Sequence, residues 1–77
     1  MPTIKRFGST RIVMYGGDHN PPHVHVIGTS FEAQVAIGSG EILNGTVPAR
    51  VRQTVLRWIA QNDAMLTEIW RRLTIQG

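Results

Sequence analysis

From His23 to Ile27, and again from Phe31 to Ile37, apolar and polar side chains alternate, the period of strands that lay one face on a core. Thr29-Ser30 fits a two-residue turn between them. Counting outward from it sets the register: Val26 opposite Ala33, Val24 opposite Val35 and His25 opposite Gln34. The valines then share a face with Phe31, and His23, His25, Glu32 and Gln34 share the other. Upstream, Thr10 to Tyr15 is rich in β-branched and aromatic residues, and Gly8-Ser9 offers a tight turn back to Thr3–Phe7, so a first hairpin precedes these strands. The stretch from Gly16 to Pro22 is a loop, stiffened at its end by two prolines. Gly38-Ser39-Gly40 closes the fourth strand, and Glu41–Leu43 reads as a short fifth.

Near Pro48 the period becomes helical. Val51, Val55, Trp58, Ile59, Met65, Leu66, Ile69, Trp70 and Leu73 make one broad apolar stripe. Thr46 or Val47 is the expected cap, with Pro48 in the first turn, where its missing N–H costs nothing. The phase passes through Asn62 unbroken, which predicts one long helix rather than two. About 25 helical residues span roughly 37 Å, whereas a compact domain of this length has a radius of gyration of only about 11–12 Å. Ile69, Trp70 and Leu73 are therefore expected to overhang the sheet and to form a self-association surface in a homodimer. The architecture read from the pattern is α+β, an antiparallel sheet of four to five strands packed on one long C-terminal helix, in a single domain spanning residues 1–77.

Composition narrows the class. Apolar residues are 42% of the 77 and charged ones 17%, too apolar and too weakly charged for a disordered chain. So short a chain has room for one core. Without cysteine there is no disulfide framework and no thiolate zinc site, so a metal would need His, Asp or Glu. The N-terminal segment has no signal-peptide pattern and no stretch approaches the ~20 apolar residues of a membrane span; a cytoplasmic protein with no membrane partner is expected.

The net charge of +3 is unevenly spread. Residues 1–12 hold Lys5, Arg6 and Arg11 and no acid; residues 13–47 hold Asp18, Glu32 and Glu41 and no Lys or Arg; the remainder sets five arginines against Asp63 and Glu68. Basic ends around an acidic, histidine-bearing middle suit an anionic partner such as RNA. Arg71 and Arg72 favour the helix dipole at a C-terminus and can pair with Glu68. Arg50, Arg52 and Arg57 find no acid three or four residues onward and are the candidates for contact with nucleic acid or a partner protein, against the plainer reading of a solvated helix face. Trp58 and Trp70 lie on the stripe and read as core or interface.

Histidines at i and i+2 on a strand point to one side, about 6.6 Å apart along the chain, a spacing that suits two ligands of one divalent transition metal such as zinc. His19, Asp18 or Glu32 would supply the rest of the set. The same imidazoles beside a cation suit metal-independent RNA cleavage, one taking the proton of a 2′-hydroxyl and another donating to the leaving oxygen. His23 and His25 are then catalytic, with Arg11 on the phosphate. The third reading is structural: half-exposed strand histidines, with Asp18 and His19 fixing the loop. The residues alone leave these three open.

The opening Met1-Pro2-Thr3-Ile4, the Arg11–Tyr15 strand, the run Asp18-His19-Asn20-Pro21-Pro22-His23-Val24-His25-Val26, then Phe31-Glu32-Ala33 and the Trp-containing helix resemble the family known as domain of unknown function 4160. Pro21-Pro22-His23-Val24-His25 is the most specific part. The resemblance implies a small prokaryotic protein, often encoded beside a short partner of another uncharacterised family, 2442, in an arrangement like that of toxin–antitoxin pairs. It establishes no activity. The function expected on these grounds is a toxin-like component of a two-gene module acting on RNA through the His-rich site, with a small cognate antitoxin-like partner. The alternative is a non-enzymatic protein- or nucleic-acid-binding module with structural histidines.

Overall fold

The structure, a computed structural model, describes residues 3–16 and 19–75, the last two by backbone alone. Five strands follow one another as an antiparallel meander in sheet order β1-β2-β3-β4-β5: β1 Thr3–Phe7, β2 Thr10–Val13, β3 His23–Ile27, β4 Glu32–Ala36 and β5 Ile42–Gly45. Two helices complete the chain, α1 Ala49–Gln61 and α2 Asp63–Ile75.

The strand pattern holds where it was sharpest. Phe7 faces Thr10 across the Gly8-Ser9 turn, where Gly8 takes φ +59°. Between β3 and β4, Val26 faces Ala33, Val24 faces Val35 and His25 faces Gln34, and the Gly28 N–H donates to the Phe31 carbonyl at 2.9 Å around Thr29-Ser30. Strand β5 begins later than Glu41–Leu43 and runs further, because it enters with a bulge: Val35 faces Ile42, whereas Gln34 already faces Asn44. Gly45 ends it at φ +78°, so close to β4 that an added Cβ would lie 2.1 Å from the Glu32 carbonyl oxygen. Only glycine meets both demands.

Neither expected cap forms. Thr46 lies just past β5, its N–H donating to the Glu32 carbonyl at 3.4 Å, and Pro48 itself is the N-cap, with extended backbone at φ −57°, ψ 145°. The guanidinium of Arg52 turns back to the Val47 carbonyl through Nε (3.2 Å) and Nη2 (3.1 Å).

The larger correction is the break at Asn62. Its φ of −120° and ψ of 21° leave the helical region, and its side-chain amide donates to the Trp58 carbonyl at 2.9 Å. Asparagine offers the backbone such a local partner, which is why it disfavours helix interiors and suits helix ends. Asp63 opens α2 with a carboxylate in the first turn, where the dipole favours it. Beyond this break α2 still packs on the core. Leu66 is fully buried and Trp70 is 4% exposed, both in one cluster with Ile12, Met14, Val24, Val26, Val35, Val55 and Ile59, while Ile69 and Leu73 pack partly buried against it. Leu73 Cδ2 comes within 3.9 Å of where a Cβ would stand on Gly16, so α2 reaches the strand ends from which the His-rich loop departs. Ile69, Trp70 and Leu73 are thus covered by their own chain, which removes the reason for expecting them to be a self-association surface.

Trp70→Ala is expected to cost about 3–5 kcal/mol in urea unfolding, by the same amount at every protein concentration, because the indole's cover is intramolecular. Met65→Ala, on the 43% exposed member of the stripe, should stay within about 0.5 kcal/mol of wild type.

Candidate functional site

A cis Asn20–Pro21 peptide leads the chain into the start of β3. There the Ile37 N–H donates to the Pro22 carbonyl at 3.0 Å, tying the loop's end to β4. The Pro21 carbonyl accepts a hydrogen bond from His23 Nδ1 at 2.8 Å. A carbonyl can only accept, so Nδ1 carries the proton, and the ring orientation is set by the loop.

His23 and His25 lie, as the alternation requires, on the face opposite Val24 and Val26. They are not half-exposed: each is only 7% accessible. A run of four rings accounts for this. Tyr15 meets His25 edge-on at 4.6 Å and 81°, His25 meets His23 at 5.2 Å and 59°, and His23 meets Trp70 at 5.2 Å and 53°. These are favourable aromatic separations. Trp70, read from the sequence as an interface residue, is the wall behind His23.

The remaining candidates disperse. Glu32 Oε2 lies 3.8 Å from His25 Nδ1, beyond hydrogen-bond range, with its side chain 62% exposed. Arg11 faces Ile27, two rungs from the Val13–His25 pair and further still from His23. His19 is exposed, and Asp18 lies outside the described residues. Among the described residues no three of His, Asp and Glu gather as a metal-ligand group, so the expected set of His19, His23, His25, Asp18 and Glu32 is not assembled. The physical reason is placement: Glu32 sits at the opposite end of β4 from the rung of His23.

What the fold does bring together is a concavity of about 330 Å³ lined by His19, Asn20, Pro21, His23, Gln34 and Leu43, adjoined through Gln34 by a second of about 200 Å³ that reaches Glu32 and Asn44. The bulge in β5 puts Leu43 and Asn44 there, and strand alternation alone gave no signal for either. No Lys or Arg lines either hollow.

The arginines divide as well. Arg52 is engaged with Val47, so its place among the partner-binding candidates weakens, whereas Arg50 and Arg57 are exposed and form no ion pair among the described residues. Arg71 Nη1 and Arg72 Nε hold Glu68 at 2.8 and 3.2 Å. The Arg72 hydrogen bond, then the charge of Arg71, keeps the Glu68 carboxyl below its ordinary 4.5.

Two outcomes follow. A carboxyl whose folded pKa is depressed stabilises the fold above its unfolded value and loses that contribution as pH falls through the folded one. Glu68→Gln should therefore lie slightly below wild type at neutral pH and converge with it as pH falls below about 4.5, as followed by thermal melts. At the site, His23→Phe keeps a ring between His25 and Trp70 but loses the bond to Pro21, and should cost about 0.5–1.5 kcal/mol. His23→Ala loses both and should cost more. Equal losses in urea unfolding would show that the ring contacts carry no weight.

No curated protein and no solved structure matches the chain. A family model does, over residues 10–71, from the start of β2 through the His-rich segment, the remaining strands, α1 and most of α2. On that match, which covers most of its length, the chain belongs to DUF4160, a domain of unknown function.

Proposed function

We propose that this chain works as a non-enzymatic binding module in which His23 and His25 are structural, and that it does so as one member of a two-gene, toxin–antitoxin-type pair. The observation that carries this reading is the burial of both imidazoles, each 7% accessible within the Tyr15–His25–His23–Trp70 run. General acid–base cleavage of RNA needs each imidazole within hydrogen-bond reach of a hydroxyl or leaving oxygen. Rings walled by aromatic neighbours serve packing better than proton transfer. The bound partner is an anionic one, either RNA or a small acidic protein, met through the basic residues outside the His face. Among the described residues no helix is long and apolar enough to cross a membrane.

One observation favours the toxin-like reading in its enzymatic form, in which the His-rich site acts on RNA. His23 and His19 line the larger concavity together with Asn20 and Gln34, so part of His23 borders a hollow of ligand size.

Expression of the chain alone, and with its neighbouring gene product, decides between them. The binding reading expects growth arrest relieved by the neighbour, unchanged by His23→Phe, with purified protein that leaves RNA intact. RNA cleavage that disappears in a folded His23→Phe variant would establish the enzymatic form instead. An absence of growth arrest would remove the toxin-like role from both.

A further inference from the structure

We propose that the helix flank formed by Val51, Trp58 and Met65, bordered by Lys5, Arg50 and Arg57, is the docking surface for a partner's amphipathic helix with acidic residues beside its apolar seam. The proposal rests on the binding-module reading and names its partner as a small acidic protein rather than RNA.

Val51, Trp58 and Met65 recur at steps of seven, close to two helical turns, so they line one side of the helical segment. The ladder holds through Asn62, and Trp58 and Met65 each stand just before a fully buried residue, Ile59 and Leu66. The step therefore carries from α1 into α2. Val51 and Trp58 are half-buried, while Met65 is exposed. Phe7 extends the strip onto β1, meeting Trp58 edge-on at 6.2 Å and 79°. Lys5 pairs with buried Ile12 and Phe7 with buried Thr10, so both lie on the helix side of the sheet.

Cations border this strip on both sides. The Lys5 ammonium sits 5.5 Å from the centre of the Phe7 ring. Across the helix, Arg50 adjoins Val51 and Arg57 adjoins Trp58 at the same offset, about 10 Å apart along the axis. All three are exposed and form no ion pair among the described residues. Arg50 stands in the first turn of α1, which has no acid and where the helix dipole disfavours a cation. Arg52 in the same turn is engaged with the Val47 carbonyl; Arg50 has no such bond. Of the acids on α2, Asp63 stands about 140° around the helix from Trp58, and Glu68 is held by Arg71 and Arg72.

An apolar strip between two borders of positive charge fits a helix whose seam is apolar and whose flanks are acidic. Such a helix covers Met65 and gives all three cations a partner. A second copy of this chain is a poor occupant, because two-fold docking would set Lys5, Arg50 and Arg57 against themselves with no acid between them. RNA would satisfy the cations, but Val51 and Met65 offer a base no ring to stack on and would stay wet. A lone exposed methionine needs no explanation. Its alignment with Trp58, between cations that lack ion pairs, does.

The test uses the full chain and a labelled synthetic peptide of about 18 residues, with leucine at heptad a and d positions and glutamate beside them. A second peptide carries lysine at every glutamate. In fluorescence anisotropy the glutamate peptide should bind with a Kd of roughly tens of micromolar, and the lysine peptide at least about 10-fold more weakly. Met65→Glu and Arg50→Glu/Arg57→Glu should each weaken the glutamate peptide by about 10-fold or more. Neither should lower the melting temperature, because Met65 is exposed and Arg50→Glu puts an acid where the dipole favours one. Trp58 supplies a second readout: of the two tryptophans Trp70 is buried, so binding should shift the emission of Trp58 alone, and Trp58→Phe should abolish the shift.

No binding at ~200 µM, equal affinity for the lysine peptide, affinity unchanged in Met65→Glu, or an emission shift that persists in Trp58→Phe would each overturn the proposal. Binding of an oligoribonucleotide of about 12 residues through Arg50 and Arg57, with none of the glutamate peptide, would overturn it too, yet leave the binding-module reading standing. RNA cleavage lost in a folded His23→Phe variant would overturn that reading itself, and the proposal with it.

Discussion

At the one residue whose backbone leaves the helical region between α1 and α2, the Asn62 side-chain amide donates to the Trp58 carbonyl beside the backbone N–H of the same residue. A single hydrogen bond of this kind contributes about 1 kcal/mol, yet the burial beyond it is far larger. Beyond Asn62, Leu66 and Trp70 enter the core and Ile69 and Leu73 pack against it. Each such side chain is worth roughly 1.5–3 kcal/mol when fully covered. A protein of this size has few apolar residues to spare, so an α2 pointing into water would have left the core short of an indole and a leucine. The chemistry of the His face depends on the same packing, because the ring that walls off His23 is carried on α2.

Periodicity located that stripe and missed its break for one reason. The backbone N–H of Asn62 still donates to the Trp58 carbonyl, four residues back, and the Leu66 N–H still donates to the Asn62 carbonyl. Residues on either side therefore keep helical spacing, and the phase from Ile59 to Leu66 shows no slip. The break is one pair of backbone angles that leaves no mark in the order of apolar residues. Asn62 within the stripe was the sole trace, and an asparagine can equally sit on a straight helix with its side chain in water.

The strands were more legible, since a two-residue turn and strict alternation leave one register between β3 and β4, and it is the one observed. Alternation says which side chains share a face; it says nothing of what covers that face. His23 and His25 would be half-exposed on an open sheet, and the residues that bury them come from Tyr15 beyond β2 and from Trp70 near the other end of the chain. The bulge that sets Leu43 and Asn44 beside Gln34 was hidden likewise, because one extra residue reverses the facing of all that follows and no glycine or proline marks the place within β5. The family resemblance was visible in the run of motifs, but a domain of unknown function brings no chemistry to assign to them.

Separation of charge from imidazole weighs most in choosing between chemistry and binding. Cleavage at a phosphodiester needs the proton acceptor, the proton donor and a cation for the phosphate within the reach of one nucleotide, since misplacement by even about 1 Å can cost 100-fold. Here His23 stands at the strand end beside Tyr15 and α2, while Arg6 and Arg11 stand toward the Gly8-Ser9 turn at the other end. The hollow that His23 borders is lined by carboxamides, imidazoles and Leu43, and carries Glu32 in its extension. A carboxylate at its far end and no cation along its walls oppose a phosphate there. The basic hairpin has the opposite character: Arg6 and Arg11 face each other, and the residue paired with Arg11 on the next strand is Ile27, not an acid. A phosphate chain drawn to this protein by its field would be held where the cations are, at the end of the sheet away from His23, so the electrostatics that favour nucleic acid argue against cleavage of it by the histidines.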